Sequence, residues 1–175
     1  MRLLEGKTAI ITGSSRGIGR AIAKAFAVHG AGLVIHGTNS ESLKPLADEL
    51  GCYYAAGDIG DFQTSQNLAE ECMNRFGRID ILVNNAGINT RTKFLDLTPE
   101  EWDKVLRTNL TGAFYACKCV IPHMLARKSG VILNMSSRAG KTAHKNASAC
   151  YGASKAGIDA LTANLLTTSE LREYA

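Results

Sequence analysis

Short apolar runs alternate with amphipathic helical patterns from one end of the chain to the other, and this alternation restricts the architecture more than any other feature. A strand followed by a helical crossover, repeated, builds a parallel sheet with helices on both faces. The spacing predicts strands over 7–12, 33–36, 52–56, 81–83 and 131–133, and helices over 18–29, 42–50 and 62–76. Ile81-Leu82-Val83 is apolar at every position, as a strand buried on both faces requires. Thr98-Pro99-Glu100-Glu101 joins a capping hydroxyl, a proline at the first helical position and a glutamate at the third. A long helix is expected from there to about Arg127, kinked near Asn109, and a last one from near Tyr151 to the chain end.

At 175 residues the chain is read as one domain, 1–175, with 45% hydrophobic residues, 17 glycines and only three prolines. Its five cysteines form no Cys-x-x-Cys pair and read as buried, reduced thiols, which implies a cytoplasmic location. No stretch has the length of a signal peptide's apolar region or of a membrane span, so a soluble protein with no membrane partner is expected. The formal charge of +4 arises from 20 basic residues scattered among 16 acidic ones, which does not suggest a nucleic-acid partner. Two loose basic groups fall in expected loops: Arg91 with Lys93, and Arg138, Lys141 and Lys145 around His144. No metal site is suggested by His29, His36, His123 and His144, which lack ligand spacing.

Thr12-Gly13-Ser14-Ser15-Arg16-Gly17-Ile18-Gly19 lies between the first strand and the first helix. A glycine-rich turn there lets backbone N–H groups approach a pyrophosphate at the positive end of the helix. The stretch after the second strand, His36-Gly37-Thr38-Asn39-Ser40, has no carboxylate to accept from a ribose 2′-hydroxyl, while Arg16 is able to pair with a 2′-phosphate. NADP(H) is therefore expected in preference to NAD(H).

Tyr151 and Lys155 are four residues apart and share one helical face. Free tyrosine titrates near 10, and lowering it to about 7 requires roughly 4 kcal/mol. An ammonium about 4.5 Å away, at an effective dielectric of ~20, supplies 3–4 kcal/mol. The pair therefore suits a phenol that gives and takes a proton near neutral pH. The bland alternative is a tyrosine and a lysine on a solvated surface.

Together with Asn84-Asn85-Ala86-Gly87, Asp58, Asn109, Ser137 and Tyr151-Gly152-Ala153-Ser154-Lys155, the glycine loop closely resembles the short-chain dehydrogenase/reductase family. The resemblance implies an α/β, doubly wound, Rossmann-like parallel sheet of about five strands in the order 3-2-1-4-5. It implies that Tyr151 is the general acid or base, that Lys155 lowers its pKa, that Ser137 donates to the substrate oxygen, and that Asn109 interrupts its helix and positions a water. It places the cofactor against Gly13, Ser15, Arg16, Gly17, Ile18, Gly19, Asn39, Asp58, Ile59, Asn84, Asn85, Ala86 and Gly87, with Tyr151 and Lys155. Ser137 is preferred to Ser136 because it fits the family's Ser-x-x-Gly pattern, ending at Gly140. The stretch from Ser137 to Tyr151 is about one residue longer than usual for the family.

Two further strands and a substrate-covering segment are expected by the family pattern and have no counterpart before Ala175. The chain is accordingly expected to be a C-terminally shortened form whose fifth strand is an open edge with an apolar face. The resemblance is greatest to 3-oxoacyl-carrier-protein reductases and sugar-acid dehydrogenases. The expected activity is NADP(H)-dependent interconversion of a carbonyl and a secondary alcohol, on a small-molecule substrate that is free or bound to a carrier protein. The alternative is an impaired form that only binds nucleotide or a partner. A homo-oligomer, dimer or tetramer, through the two long helices is implied by the family. The basic loop residues suit an acidic substrate, a sugar acid or a 3-oxoacyl group on an acidic carrier protein, but solvated loop charge is the preferred reading of them.

Overall fold

The structure is a computed structural model that describes residues 1–167, so the end of the last expected helix, over 168–175, lies outside the described residues. Strands β1 (Thr8–Ile11), β2 (Gly32–Gly37), β3 (Tyr53–Ala56), β4 (Ile81–Asn84) and β5 (Val131–Asn134) form one parallel sheet in the order β3-β2-β1-β4-β5. They alternate with α1 (Gly17–Val28), α2 (Ser40–Leu50), α3 (Phe62–Phe76), α4 (Pro99–Leu106), α5 (Gly112–Ala126) and α6 (Ala149–Thr167). The doubly wound architecture expected from the alternation is the one found, and each expected strand lies within one or two residues of an observed one.

Why every central strand is apolar at successive positions is visible in the packing. Ile10, Val34 and Leu82 point to one face, into a cluster with Leu68, Cys72, Cys117 and Val120 from α3 and α5. Ala9, Ile11, Leu33, Ile35 and Val83 point to the other, against Ala23, Leu43 and Leu46 from α1 and α2. The side-chain period of two therefore splits each strand between two dry layers.

At the amino edge of the sheet Asp80, 4% exposed, accepts from the Thr8 N–H at 2.9 Å and pairs with Arg78 at 2.5 Å and Arg127 at 3.1 Å. Burial pushes its carboxyl up, but the Arg78, Thr8 and Arg127 donors outweigh that and hold it at about 2. This end is clamped, which leaves the carboxyl edge to the loops that carry chemistry.

Thr98 caps α4, accepting from the Glu101 N–H at 3.2 Å, with Pro99 at the first helical position. The reciprocal half of the expected capping box is absent, because the Glu101 carboxylate instead accepts from the Thr92 hydroxyl. The expected kink near Asn109 is a π-helical turn, Arg107–Thr111, joining α4 to α5.

The strand β5 is the sheet's edge among the described residues, and its Val131 and Leu133 are exposed. Met124, Leu125, Ile132, Leu165 and Leu166 line an apolar groove of about 180 Å³ beside it. All five cysteines are free thiols, and burial raises Cys52 and Cys117 to about 11 and Cys72 to about 12. No helix among the described residues is long and apolar enough to cross a membrane.

Candidate active site

The strand order reverses between β1 and β4, and the loops leaving their carboxyl ends meet there. Gly13 adopts φ +67°, and a Cβ on it would lie 2.8 Å from Ala86 Cα. A Cβ on Gly19 would lie 2.3 Å from the Gly13 carbonyl oxygen. Both glycines are thus required for close approach rather than for flexibility. The Thr12 hydroxyl accepts from the backbone N–H groups of Asn85 and Ala86, each at 3.0 Å, and Asn85 Nδ2 donates to the carbonyls of Thr12 and Gly13, each at 3.0 Å.

The outer side of the turn is open. Gly17 has φ +58° with nothing within 4 Å of where a Cβ would stand. The first turn of α1 holds no acidic residue, and Arg16 at its N-cap supplies no side-chain cap. The first-turn N–H groups, from Gly17, Ile18 and Gly19, have no intrahelical partner by geometry, so this end of α1 fits an anionic group. Arg16 is exposed and enters no ion pair among the described residues. Ser15 packs beside Gly37 at the end of β2, whose following residues carry no carboxylate before Glu41.

Several residues expected against the cofactor have their side chains engaged elsewhere. Asn39 caps α2, its Oδ1 accepting from the Ser42 N–H at 3.0 Å. Asp58 Oδ1 accepts from the Gly60 N–H at 2.9 Å while the residue remains exposed. Ile59 is buried in the core, leaving its backbone as its only means of contact. Asn84 is buried within the sheet, where its Nδ2 donates to Asn134 Oδ1 at 2.8 Å and to Cys117 Sγ at 3.3 Å. Its position follows from β4 continuing one residue beyond the expected end.

On the other side of the switch point, the 3₁₀ turn Arg138–Gly140 lies directly on α6. A Cβ on Gly140 would sit 2.7 Å from both the Ala156 nitrogen and the Lys155 carbonyl carbon, and one on Gly152 would sit 2.9 Å from the Ala139 oxygen. This contact is the physical reason for a glycine three residues after Ser137. Ser137 Oγ accepts from the Ala139 N–H at 3.2 Å and keeps its own proton uncommitted among the described residues. Ser136 instead donates its proton to the Lys155 carbonyl at 3.3 Å.

Lys155 is 5% exposed; its Nζ lies 5.7 Å from the centre of the half-buried Tyr151 ring and donates to the Met135 carbonyl at 2.5 Å. Burial lowers the lysine's pKa, and Asp159 opposes that shift. Asn109, on the π turn, is 2% exposed, with Oδ1 accepting from the Ile88 N–H at 2.8 Å and Nδ2 donating to the Ile88 carbonyl at 2.9 Å and to Ser154 Oγ at 3.0 Å. A Cβ on Gly87 would sit 3.3 Å from Asn109 Oδ1 and 3.8 Å from Lys155 Nζ, so Gly87, Asn109 and Lys155 converge.

Sequence reasoning missed two supports of this site. His36 accepts at Nδ1 from the Gly13 N–H at 3.2 Å and donates from Nε2 to the Gly57 carbonyl at 3.1 Å, tying the glycine turn to the end of β3. Ser154 accepts from Asn109 and donates to the Tyr151 carbonyl at 2.8 Å, tying the π turn to α6. A polar residue closing an apolar strand was the available signal for His36; nothing local marked Ser154.

A family model described as short chain dehydrogenase matches residues 7–173. The oxidoreductase UcpA of Salmonella typhimurium is 42% identical over 170 residues, covering 94% of this chain and 64% of the relative. The chain therefore spans less than two thirds of that protein's length. The 3-oxoacyl-[acyl-carrier-protein] reductase FabG of Chlamydia pneumoniae is 37% identical over 172 residues, covering 93% of this chain and 67% of the relative. A metagenomic short-chain oxidoreductase solved in complex with NADP superposes with a TM-score of 0.88 at 34% identity, over 98% of this chain and 79% of that one.

Proposed function

This chain belongs to the short-chain dehydrogenase family, and from that premise we propose that it interconverts a carbonyl and a secondary alcohol, with NADP(H) as cofactor and Tyr151 as the group that moves the proton. The observation that carries the reading is the packing of the Ser137 turn onto α6, the helix that bears both Tyr151 and the buried Lys155 ammonium near its ring, while Ser137 keeps its hydroxyl proton uncommitted among the described residues.

When bound, reduced cofactor supplies a hydride to the carbonyl carbon and is itself oxidised. The Tyr151 phenol gives its proton to the carbonyl oxygen, completing the alcohol, and solvent returns a proton to the phenolate. Lys155 has N–H donors left after Met135 takes one, and its charge favours the phenolate that forms. Ser137 donates to the oxygen as negative charge builds there. Asn109 holds the Gly87 turn and α6 in fixed relation through Ile88 and Ser154. The NADP complex of the metagenomic relative supports the preference argued from Arg16.

Reduction of a ketone panel by the purified protein with NADPH tests this. Tyr151→Phe should lower kcat by about 10²–10⁴ while the NADPH Kd moves only a few-fold. Tight NADPH binding without turnover by the folded wild-type protein would favour a nucleotide-binding module instead.

A further inference from the structure

We propose that the carbonyl substrate carries a carboxylate or phosphate, held by Arg91, Lys93, Lys141 and Lys145 in a cleft beside Tyr151. This rests on the reductase reading and adds a substrate class to it.

Arg91 and Lys93 of one basic group and Lys141 and Lys145 of the other, some fifty residues apart in sequence, line one cleft of about 590 Å³. His144 lines it too, and no aspartate or glutamate does. None of the four cations enters an ion pair among the described residues, and all four are exposed. Tyr151, Ser137 and Lys155 do not themselves line the cleft, but its wall includes Gly152 and Ala153, the next two residues of α6 after Tyr151, and Ala139 and Gly140 of the turn that Ser137 caps.

The chain actively holds these like charges together. Asn89 Oδ1 accepts from the Arg91 N–H at 3.2 Å and from the Ser148 N–H and hydroxyl, each at 3.3 Å, while its Nδ2 donates to the Asn146 carbonyl at 2.9 Å. Thr90 adds a hydrogen bond to Ser148 Oγ at 3.3 Å. Asn89 thereby staples the loop bearing Arg91 and Lys93 to the loop bearing Lys141 and Lys145. Arg91 is held at φ +61°, a left-handed conformation that non-glycine residues rarely adopt. A bound anion offsets the repulsion such a cluster suffers, and clefts of one sign concentrate ligands of the other. Exposed Phe94 on the same wall offers an apolar surface for the part of the substrate between anion and carbonyl.

Calorimetric titration of the protein with 5-oxohexanoate, the phosphate ester of 6-hydroxyhexan-2-one and neutral methyl 5-oxohexanoate tests this without requiring turnover. Both anions should bind about tenfold or more tightly than the methyl ester at low ionic strength, and the margin should shrink in 0.5 M salt. In Arg91→Asn/Lys141→Gln, where asparagine tolerates the left-handed backbone, the ratio of anion to ester affinity should fall about tenfold. A stronger response from the carboxylate or from the phosphate identifies which anion the cleft takes. Equal binding of acid and ester, binding of none of the three, or an unchanged ratio in the variant would overturn the proposal. Selective anion binding by a protein that reduces no ketone would overturn the reductase reading and leave the cleft assignment standing.

Discussion

Asn85 and Thr12 hold one another from both directions: the Thr12 hydroxyl accepts the Asn85 backbone N–H, and the Asn85 side-chain amide donates back to the Thr12 carbonyl, each at 3.0 Å. The same amide reaches the Gly13 carbonyl, so one side chain fixes the glycine turn against the loop after β4.

Asn85→Ala leaves two partly buried carbonyls without their donor, at a cost of about 1–3 kcal/mol. The expected outcome is a thermal midpoint several degrees lower together with an NADPH Kd raised about tenfold, read by thermal unfolding and calorimetry. A change in neither quantity would remove the bracing role.

The two adjacent serines should separate cleanly. Ser137 keeps a proton to donate, whereas the Ser136 proton is spent on the Lys155 carbonyl. Steady-state kinetics should show Ser137→Ala losing about 10²-fold or more in kcat and Ser136→Ala losing only a few-fold. The opposite order would reverse the assignment.

The proposed preference for NADP(H) rests on one exposed guanidinium. With no carboxylate between His36 and Glu41 and no ion pair to Arg16 among the described residues, Arg16→Ala should weaken NADPH binding by tenfold or more and NADH binding by little. Equal losses for both nucleotides would count against the charge argument.

His36 makes stability depend on pH. A backbone N–H donates to its Nδ1 and a carbonyl accepts from its Nε2, an arrangement that only the neutral ring satisfies. Burial is the main cause lowering its pKa from 6.5 to about 4, against the opposing Gly57 carbonyl and Asp58 charge. The unfolded chain therefore binds more protons between those values, so this contribution is present above pH 6.5 and is lost as pH falls toward 4. At about 1.4 kcal/mol per unit the loss is about 3 kcal/mol. Denaturant unfolding at a series of pH values should show that slope in the wild type and a flatter one in His36→Gln. Asp80 contributes in a separate window, between its ordinary 3.8 and about 2, so it does not obscure the effect. Parallel slopes in the two proteins would rule His36 out as the source.

Local chemistry was legible in the chain itself. The continuous apolar strands, the cap at Thr98, the glycine turn and the four-residue spacing of Tyr151 and Lys155 are all short-range patterns, and each survives in the fold. Their physics is contained in a few successive residues. What the sequence could not rank was which polar side chain faces a ligand and which is spent on the scaffold. Asn39, Asn84 and Asn85 are alike as letters, yet one caps a helix, one bonds within the sheet and one braces the glycine turn. Apart from the local Asn39 cap, those roles are hydrogen bonds to partners 50 or more residues away, as is the meeting of the two basic loops across Asn89, while the tie from His36 to Gly57 spans 21 residues. Only the packed sheet brings such distant partners within hydrogen-bond distance, and so only the tertiary structure decided them.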